Sequence, residues 1–273
     1  MEAVNISMQQ PRRPSKGGWK SAIFIIWVEV AERFAYFGLS GNLITYLTNV
    51  LKEPIATAAK DVNIWSGICF LLPLVGAFLA DSYLGRFNTV LFSSIIYLKG
   101  LLLLTLSVSV IPARFRRLIF FVSLYTIAIG QGGHKPCVQA FAADQFDEDE
   151  PEEKKAKSSF FNWWFFGICT GASAGTVVVI YLQDNVGWTV GFGVTAVAMG
   201  IAVVVFLIGR RQRLYRQEFP DGSPLIQVAQ VFVAAVRKRN LPVMECGAGV
   251  ATKVEGTGHN LPPTNQFRYG IKD

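Results

Sequence analysis

Glu29-Val-Ala-Glu32-Arg33 interrupts an apolar run that extends from Ser21 to Val50. Near the centre of a membrane helix each charged residue costs about 2.5–3.5 kcal/mol, so such residues normally face a cavity or a partner. At about 100° per residue, Glu29, Glu32, Arg33 and Tyr36 fall within one arc of a helix. Ser40 continues that stripe, whereas Ile25, Ile26, Val30 and Phe34 mostly look elsewhere. Glu29 and Arg33 are four residues apart and can neutralise each other. Two readings follow: a local ion pair sealing a helix contact, or the polar core of a transport pathway.

The rest of the chain supports a membrane setting for this stripe. Of 273 residues, 51% are hydrophobic, and several apolar runs reach membrane-spanning length. The expected fold is an all-α polytopic membrane protein. Its spans are Ser21–Val50, Asn63–Ala80, Thr89–Ile111, Leu118–Phe141, Phe160–Leu182 and Val190–Ile208. The first is about 45 Å long as a straight helix, more than the ~30 Å hydrocarbon core requires, so tilt or a projecting end takes up the excess. Residues 1–20 read as a basic cytoplasmic arm, 21–208 as the six-span bundle and 209–273 as a largely disordered cytoplasmic linker. Within that linker Leu225–Lys238 is amphipathic and suited to the membrane surface, and Leu241–Asp273 is polar and rich in Gly and Pro. No h-region or cleavage site precedes the first span, which therefore acts as its own insertion signal. The loop Ala142–Ser159, acidic and then basic, reads as a solvated connector.

The net charge of +7 is a topology signal rather than a nucleic-acid footprint. With the N-terminus inside, twelve basic residues flank the inner face: Arg12, Arg13, Lys16, Lys20, Arg86, Lys154, Lys155, Lys157, Arg210, Arg211, Arg213 and Arg216. Five flank the outer face: Lys52, Lys60, Arg114, Arg116 and Arg117. Both termini are thus expected in the cytoplasm. The four cysteines show no metal-ligand or disulfide spacing, so buried free thiols are expected. Nucleotide loops, metal-ligand clusters and nucleophile–base pairs are missing from the sequence, so an enzyme, a cofactor or a metal centre has no positive support.

Span four supplies a partner for the stripe. Gly130-Gln-Gly-Gly-His134-Lys135-Pro136 combines weak helix formers, a charge and a helix breaker. Irregular backbone at membrane depth is tolerated only where it is buried in protein or lines a cavity. Glu29 lies about 12 Å and Lys135 about 9 Å from the inner face, counted at about 1.5 Å per residue, so contact is plausible. Snorkelling of Lys135 to the surface is the alternative. His134 by itself is a weak signal. With both carboxylates ionised, Glu29, Glu32, Arg33 and Lys135 sum to zero. One added proton leaves +1, which an anion can cancel, so proton and anion favour each other's entry reciprocally. Gly167, Gly171 and Gly175 form a small-residue ridge for close helix approach. Lys99, isolated in span three, either snorkels or faces the cavity.

These residues resemble the proton-dependent oligopeptide transporter family, in particular its plant nitrate/peptide branch. Glu29-Val-Ala-Glu32-Arg33 matches that family's E-x-x-E-R motif. Gly76-Ala-Phe-Leu-Ala-Asp81-Ser-Tyr-Leu-Gly85, continuing through Thr89-Val90 to Gly100, resembles its first signature. The Gly130–Gln139 stretch followed by Ala143-Asp-Gln-Phe-Asp147, and Phe160 to Gly171, resemble the motifs of spans four and five. At Cys169 the family usually has asparagine. The resemblance covers Trp19 to about Arg239. It implies a six-helix N-terminal bundle of a major-facilitator fold and proton-coupled symport of nitrate, small peptides or similar small anionic solutes.

The same resemblance implies that Glu29, Glu32 and Lys135 couple protons, and that Arg33, Tyr36 and Lys135 contact substrate, with Arg33 facing its anionic part. The family has twelve spans, and here six precede a stretch, Thr264-Asn-Gln-Phe-Arg268, that resembles the linker to the second bundle. The bundle is therefore expected to be inactive alone, with a second copy or the C-terminal half of a relative to complete it. The alternative is a truncated, non-transporting membrane protein that binds or inhibits a full-length relative. The expected partners are a small anionic substrate, a proton and the lipid bilayer of the plasma or vacuolar membrane, with no nucleic acid.

Overall fold

The computed structural model describes residues 17–147, 149–217, 231 and 233. Residues 17–217 belong to one compact unit. Val231 and Val233 belong to a second and are helical and exposed. The basic arm up to residue 16, most of the amphipathic stretch Leu225–Lys238, the polar segment Leu241–Asp273 and Cys246 lie outside the described residues.

Among residues 17–217, eight α-helices form six rods: α1 (Trp19–Ser40) with α2 (Leu43–Asn49), α3 (Ile55–Leu79), α4 (Arg86–Ser109), α5 (Ala113–Ala143), α6 (Pro151–Ala174) with α7 (Ile180–Asn185), and α8 (Trp188–Arg211). Wide π-helical turns at Ala80–Leu84 and Gly175–Val179 extend α3 and join α6 to α7. Four rods are long and apolar enough to cross a membrane: Ile55–Leu84, Arg86–Ser109, Pro151–Asn185 and Trp188–Arg211. The other two are the rods that carry Glu29, Glu32 and Arg33 and, on α5, Gln131, His134 and Lys135. The expected linker boundary also moves, since α8 continues past Ile208 to Arg211.

The first rod is not one straight span. It breaks at Gly41-Asn42, where the Asn42 amide donates to Asp184 Oδ1 at 2.8 Å. The Gln183 amide donates to the Gly38 carbonyl at 3.2 Å and pins the same region from α7. The irregular backbone expected at Gly130–Pro136 is absent, and α5 runs helically through all seven residues. Their small size serves contact instead. A Cβ on Gly76 of α3 would stand 2.7 Å from the Gly132 carbonyl carbon, so α3 and α5 meet backbone to backbone.

The glycine ridge of α6 works in the same way against α1. A Cβ at Gly171 would stand 2.6 Å from the Val30 carbonyl oxygen. Gly171→Leu is therefore expected to force α1 and α6 apart at a cost of about 1–3 kcal/mol. A lowered unfolding midpoint in detergent would report it; an unchanged midpoint would show that the two helices part freely.

Two apolar clusters fill the bundle. One gathers Leu39, Leu43, Tyr46, Trp65, Tyr97, Phe120 and Phe192. The other gathers Ala22, Ile25, Phe87, Phe141, Phe160 and Phe206. Along α1 and α5 the polar residues Glu29, Glu32, Gln131 and His134 lie between the two sets. Lys99 is exposed on α4 and takes no part in this layer. Cys69 and Cys137 are buried as expected, whereas Cys169 is exposed.

The connector after α5 is more ordered than its charge implies. Gln145 is buried; its amide donates to the Phe141 carbonyl at 2.9 Å and the Arg216 carbonyl at 3.1 Å. Its own carbonyl accepts from Gly18 N–H at 2.6 Å, and its side-chain oxygen from Arg216 N–H at 2.9 Å. Tyr215 packs among Phe87, Phe141 and Phe206, where burial pushes its phenol pKa up. Pro151, Glu152 and Glu153 then open α6, proline and acids both suiting a helix start.

Candidate functional site

Glu29, Glu32 and Arg33 stand at helix positions i, i+3 and i+4, so α1 alone places all three on one face. Arg33 Nε lies 3.0 Å from Glu29 Oε1, and Arg33 Nη2 lies 2.5 Å from Glu32 Oε2. One guanidinium thus bridges two carboxylates, a geometry its planar fork suits and an ammonium does not. Glu32 is fully buried and Glu29 is 5% exposed. Burial without partners would be prohibitive for two anions; Arg33 makes it tolerable.

Helix α5 closes the site from the other side. Gln131 Nε2 donates to Glu32 Oε1 at 3.0 Å, so Glu32 is held through both oxygens. His134, three residues on and fully buried, places Nδ1 4.0 Å from Glu29 Oε2. The glycines of α5 let it pack closely on its neighbours, since a Cβ at Gly133 would meet Ser93 of α4 at 2.9 Å. Tyr97 of α4, also fully buried, interacts electrostatically with Arg33.

Lys135 departs from its expected place. Its ammonium stands over the Tyr36 ring at 4.7 Å and the Phe70 ring at 5.4 Å, not in an ion pair with either glutamate. The reason is register: His134 and Lys135 are adjacent on α5 and so about 100° apart, which turns His134 to the acids of α1 and Lys135 to the seam between Tyr36 of α1 and Phe70 of α3. Tyr36 links the two zones. It receives Lys135 on its face, lies 6.0 Å from the Arg33 guanidinium and stacks on Trp65 at 5.9 Å. Trp65 is in turn fixed by donating to the Leu124 carbonyl at 2.9 Å. The site is therefore a buried carboxylate–arginine–carboxylate triad with a half-buried cation on an aromatic shelf beside it.

Glu29 and Glu32 are brought together with Arg33 as the helical stripe requires, and Tyr36 and Lys135 meet each other rather than the carboxylates. Gln131 and His134 are the residues the stripe argument passed over. Their spacing of three on α5 was the available signal, because it puts both polar side chains on one face. The stripe also does not look outward. Its acids are covered by α5 within the bundle itself. Ligand-type atoms of Glu29, Glu32 and His134 lie within 4.8 Å of one another. The Arg33 guanidinium supplies positive charge at that point. The triad can exchange one guanidinium partner for a proton or an anion without a metal.

Comparisons with known proteins point to one family. The family model described as POT family (PTR2) matches residues 87–266. Protein NRT1/PTR FAMILY 5.4 of Arabidopsis thaliana is 50% identical over 265 residues, covering 93% of this chain and 47% of the relative. Protein NRT1/PTR FAMILY 5.10 of the same organism is 52% identical over 249 residues, covering 86% and 44%. The in meso crystal structure of the POT family transporter PepTSo superposes with a TM-score of 0.69 at 30% identity, covering 88% of this chain and 44% of that one. The chain spans about half the length of the curated relatives it matches, and its six rods form one helical bundle of the major-facilitator type. Matched by the family model over most of its length and by relatives at half identity, the chain belongs to the POT family.

Proposed function

We propose that this bundle is one half of a proton-coupled symporter for nitrate, small peptides or similar small anionic solutes. The observation that carries the reading is the single Arg33 guanidinium shared by two buried carboxylates. An arriving anion competes for Arg33, and a carboxylate that loses its share of the guanidinium must find another positive charge in a place water does not reach. A proton is the smallest available. Anion and proton then enter together, with the coupling reciprocal between them. Glu29 and Glu32 serve proton coupling. Arg33 takes the anionic group, and Tyr36 with Lys135 forms the wall beside it. A half-buried cation over aromatic rings draws in negative charge without being consumed by an ion pair.

Alternating access needs a second bundle against which this one rocks. That bundle is the remainder of a longer chain, a relative's second half or a second copy. The twelve-to-five distribution of basic residues favours both termini in the cytoplasm, in the plasma or vacuolar membrane.

Glu32→Gln tests the reading in a transporter made by joining this chain to the second bundle of a relative. It keeps the shape and an acceptor oxygen but removes one charge of the triad. Uptake of nitrate and dipeptides driven by an inward proton gradient should be lost, while exchange of internal for external solute persists. Wild-type gradient-driven uptake in this variant would leave the triad a purely structural seal.

A further inference from the structure

We propose that His134 is the acceptor that holds the transported proton on Glu29, which rests on the symport reading above and assigns the proton to one of the two glutamates. The two acids differ in what surrounds them. Glu32 accepts a hydrogen bond on one oxygen, from Gln131 Nε2 at 3.0 Å, and its other oxygen is ion-paired with Arg33 Nη2 at 2.5 Å. His134 lies within 4.8 Å of Glu32 as well, but both Glu32 oxygens already face donors, so a hydrogen on either would point at another hydrogen. Glu29 is bound on one oxygen only, by Arg33 Nε at 3.0 Å. Its other oxygen faces His134 Nδ1 at 4.0 Å, the one neighbouring ring that can offer a lone pair.

His134 is suited to this role by its own surroundings. Its side chain is fully buried, and neither ring nitrogen has a hydrogen-bond partner within the bundle. A buried imidazole held without partners is costly unless another state of the protein supplies one. The 4.0 Å gap is about 1 Å longer than a hydrogen bond, a distance that one side-chain rotation covers. The step is a proton gain without redox change. Arg33 leaves Glu29 for the anion, Glu29 binds one proton on Oε2, and that O–H donates to Nδ1 of the neutral imidazole, whose hydrogen stays on Nε2. Release runs in reverse: the proton departs and Arg33 returns.

The charged and titratable groups facing this pair come from four helices. Glu32 and Arg33 act from α1, and Lys135 acts from α5. Tyr97 of α4 interacts with Glu32 and Arg33, and Cys69 of α3 with Tyr36 and Lys135. Among the described residues, the buried side chains of α6 and α8 include no titratable group. Arg33 and Lys135 are present in every variant below, so a change on replacing His134 is assigned to the acceptor itself.

The test uses the joined two-bundle protein, purified in lipid discs, with the carboxylic C=O stretch followed by infrared difference spectroscopy as pH falls. Wild type should show a band that Glu29→Gln removes and Glu32→Gln leaves. His134→Leu takes away the acceptor, and about tenfold more protons, one pH unit or about 1.4 kcal/mol, should then be needed to raise the band. His134→Asn keeps an amide oxygen near the Nδ1 position and should restore most of that shift. The same acid displacement should appear in the pH dependence of gradient-driven dipeptide uptake. A band removed by Glu32→Gln instead, an unmoved midpoint in His134→Leu, or equal behaviour of the Asn and Leu variants overturns the assignment. A correctly shifting Glu29 band in a protein whose uptake ignores the proton gradient would overturn the symport reading and leave the Glu29–His134 pair standing.

Discussion

Arg33→Ala is expected to destabilise the bundle by about 3–5 kcal/mol, the usual result of removing one partner from a buried ion pair. The magnitude follows from what stays behind. Glu29 and Glu32 remain between two apolar clusters, 5% and 0% exposed, with Gln131 the one remaining hydrogen-bond donor to either among the described residues. The side chain of Arg33 is itself only 12% exposed, so solvent screening discounts the loss little. Arg33→Lys should recover part of the stability, because one ammonium cannot bridge both carboxylates as the fork does. A triple variant, Glu29→Gln with Glu32→Gln and Arg33→Met, should recover most of it by removing all three charges together. Thermal unfolding in detergent reads all three. A wild-type midpoint for Arg33→Ala would show that the carboxylates find other partners and that the triad is not the organising feature of the interior.

The 273-residue chain by itself is expected to give no accumulation of nitrate or dipeptide in liposomes under an inward proton gradient. A site that opens alternately to two sides needs two bodies that rock about it, and the described residues supply one six-rod bundle. The reason is mechanical and not a collapse of the charged stripe. The stripe's acids are already covered by α5, and the large side chains that face outward are apolar, among them Phe70, Leu71 and Leu74 on α3 and Phe165 and Phe166 on α6. Lipid can receive those side chains without an electrostatic penalty, and the exposed charge of Lys99 lies outside the triad, so the chain should keep its triad while failing to transport. Saturable, gradient-dependent accumulation by the chain alone would overturn this and point to a working pair of identical bundles.

The two expectations separate the roles of Arg33 and of the second bundle. Loss of stability belongs to the triad inside this chain; loss of transport belongs to the need for a second bundle to rock against. A variant such as Gly171→Leu bears on the first as well as on the α1–α6 contact, since a Cβ there would stand 2.6 Å from the Val30 carbonyl oxygen and 3.3 Å from Arg33 Cβ.

Much of this was legible in the residues before any coordinates. Apolar runs of spanning length between short polar turns correspond to the six rods, because hydrogen bonding within the segment is the only way such a run satisfies its backbone in lipid. The Glu29–Arg33–Glu32 triad was equally legible, since spacings of three and four on one helix are a local geometry that needs no other element. The features that escaped all depend on how helices are turned against one another. The break at Gly41-Asn42 is held by Asp184, 142 residues from Asn42. The choice of Gln131 and His134 over Lys135 as neighbours of the acids rests on the rotation of α5, set by Gly76, Gly132 and Gly133 where backbones touch. Gln145 is buried in a charged loop because Gly18 and Arg216 meet it there, from 127 residues before and 71 residues after it. Periodicity reports which side of a helix is polar, but the neighbour that side meets is chosen by packing between distant segments.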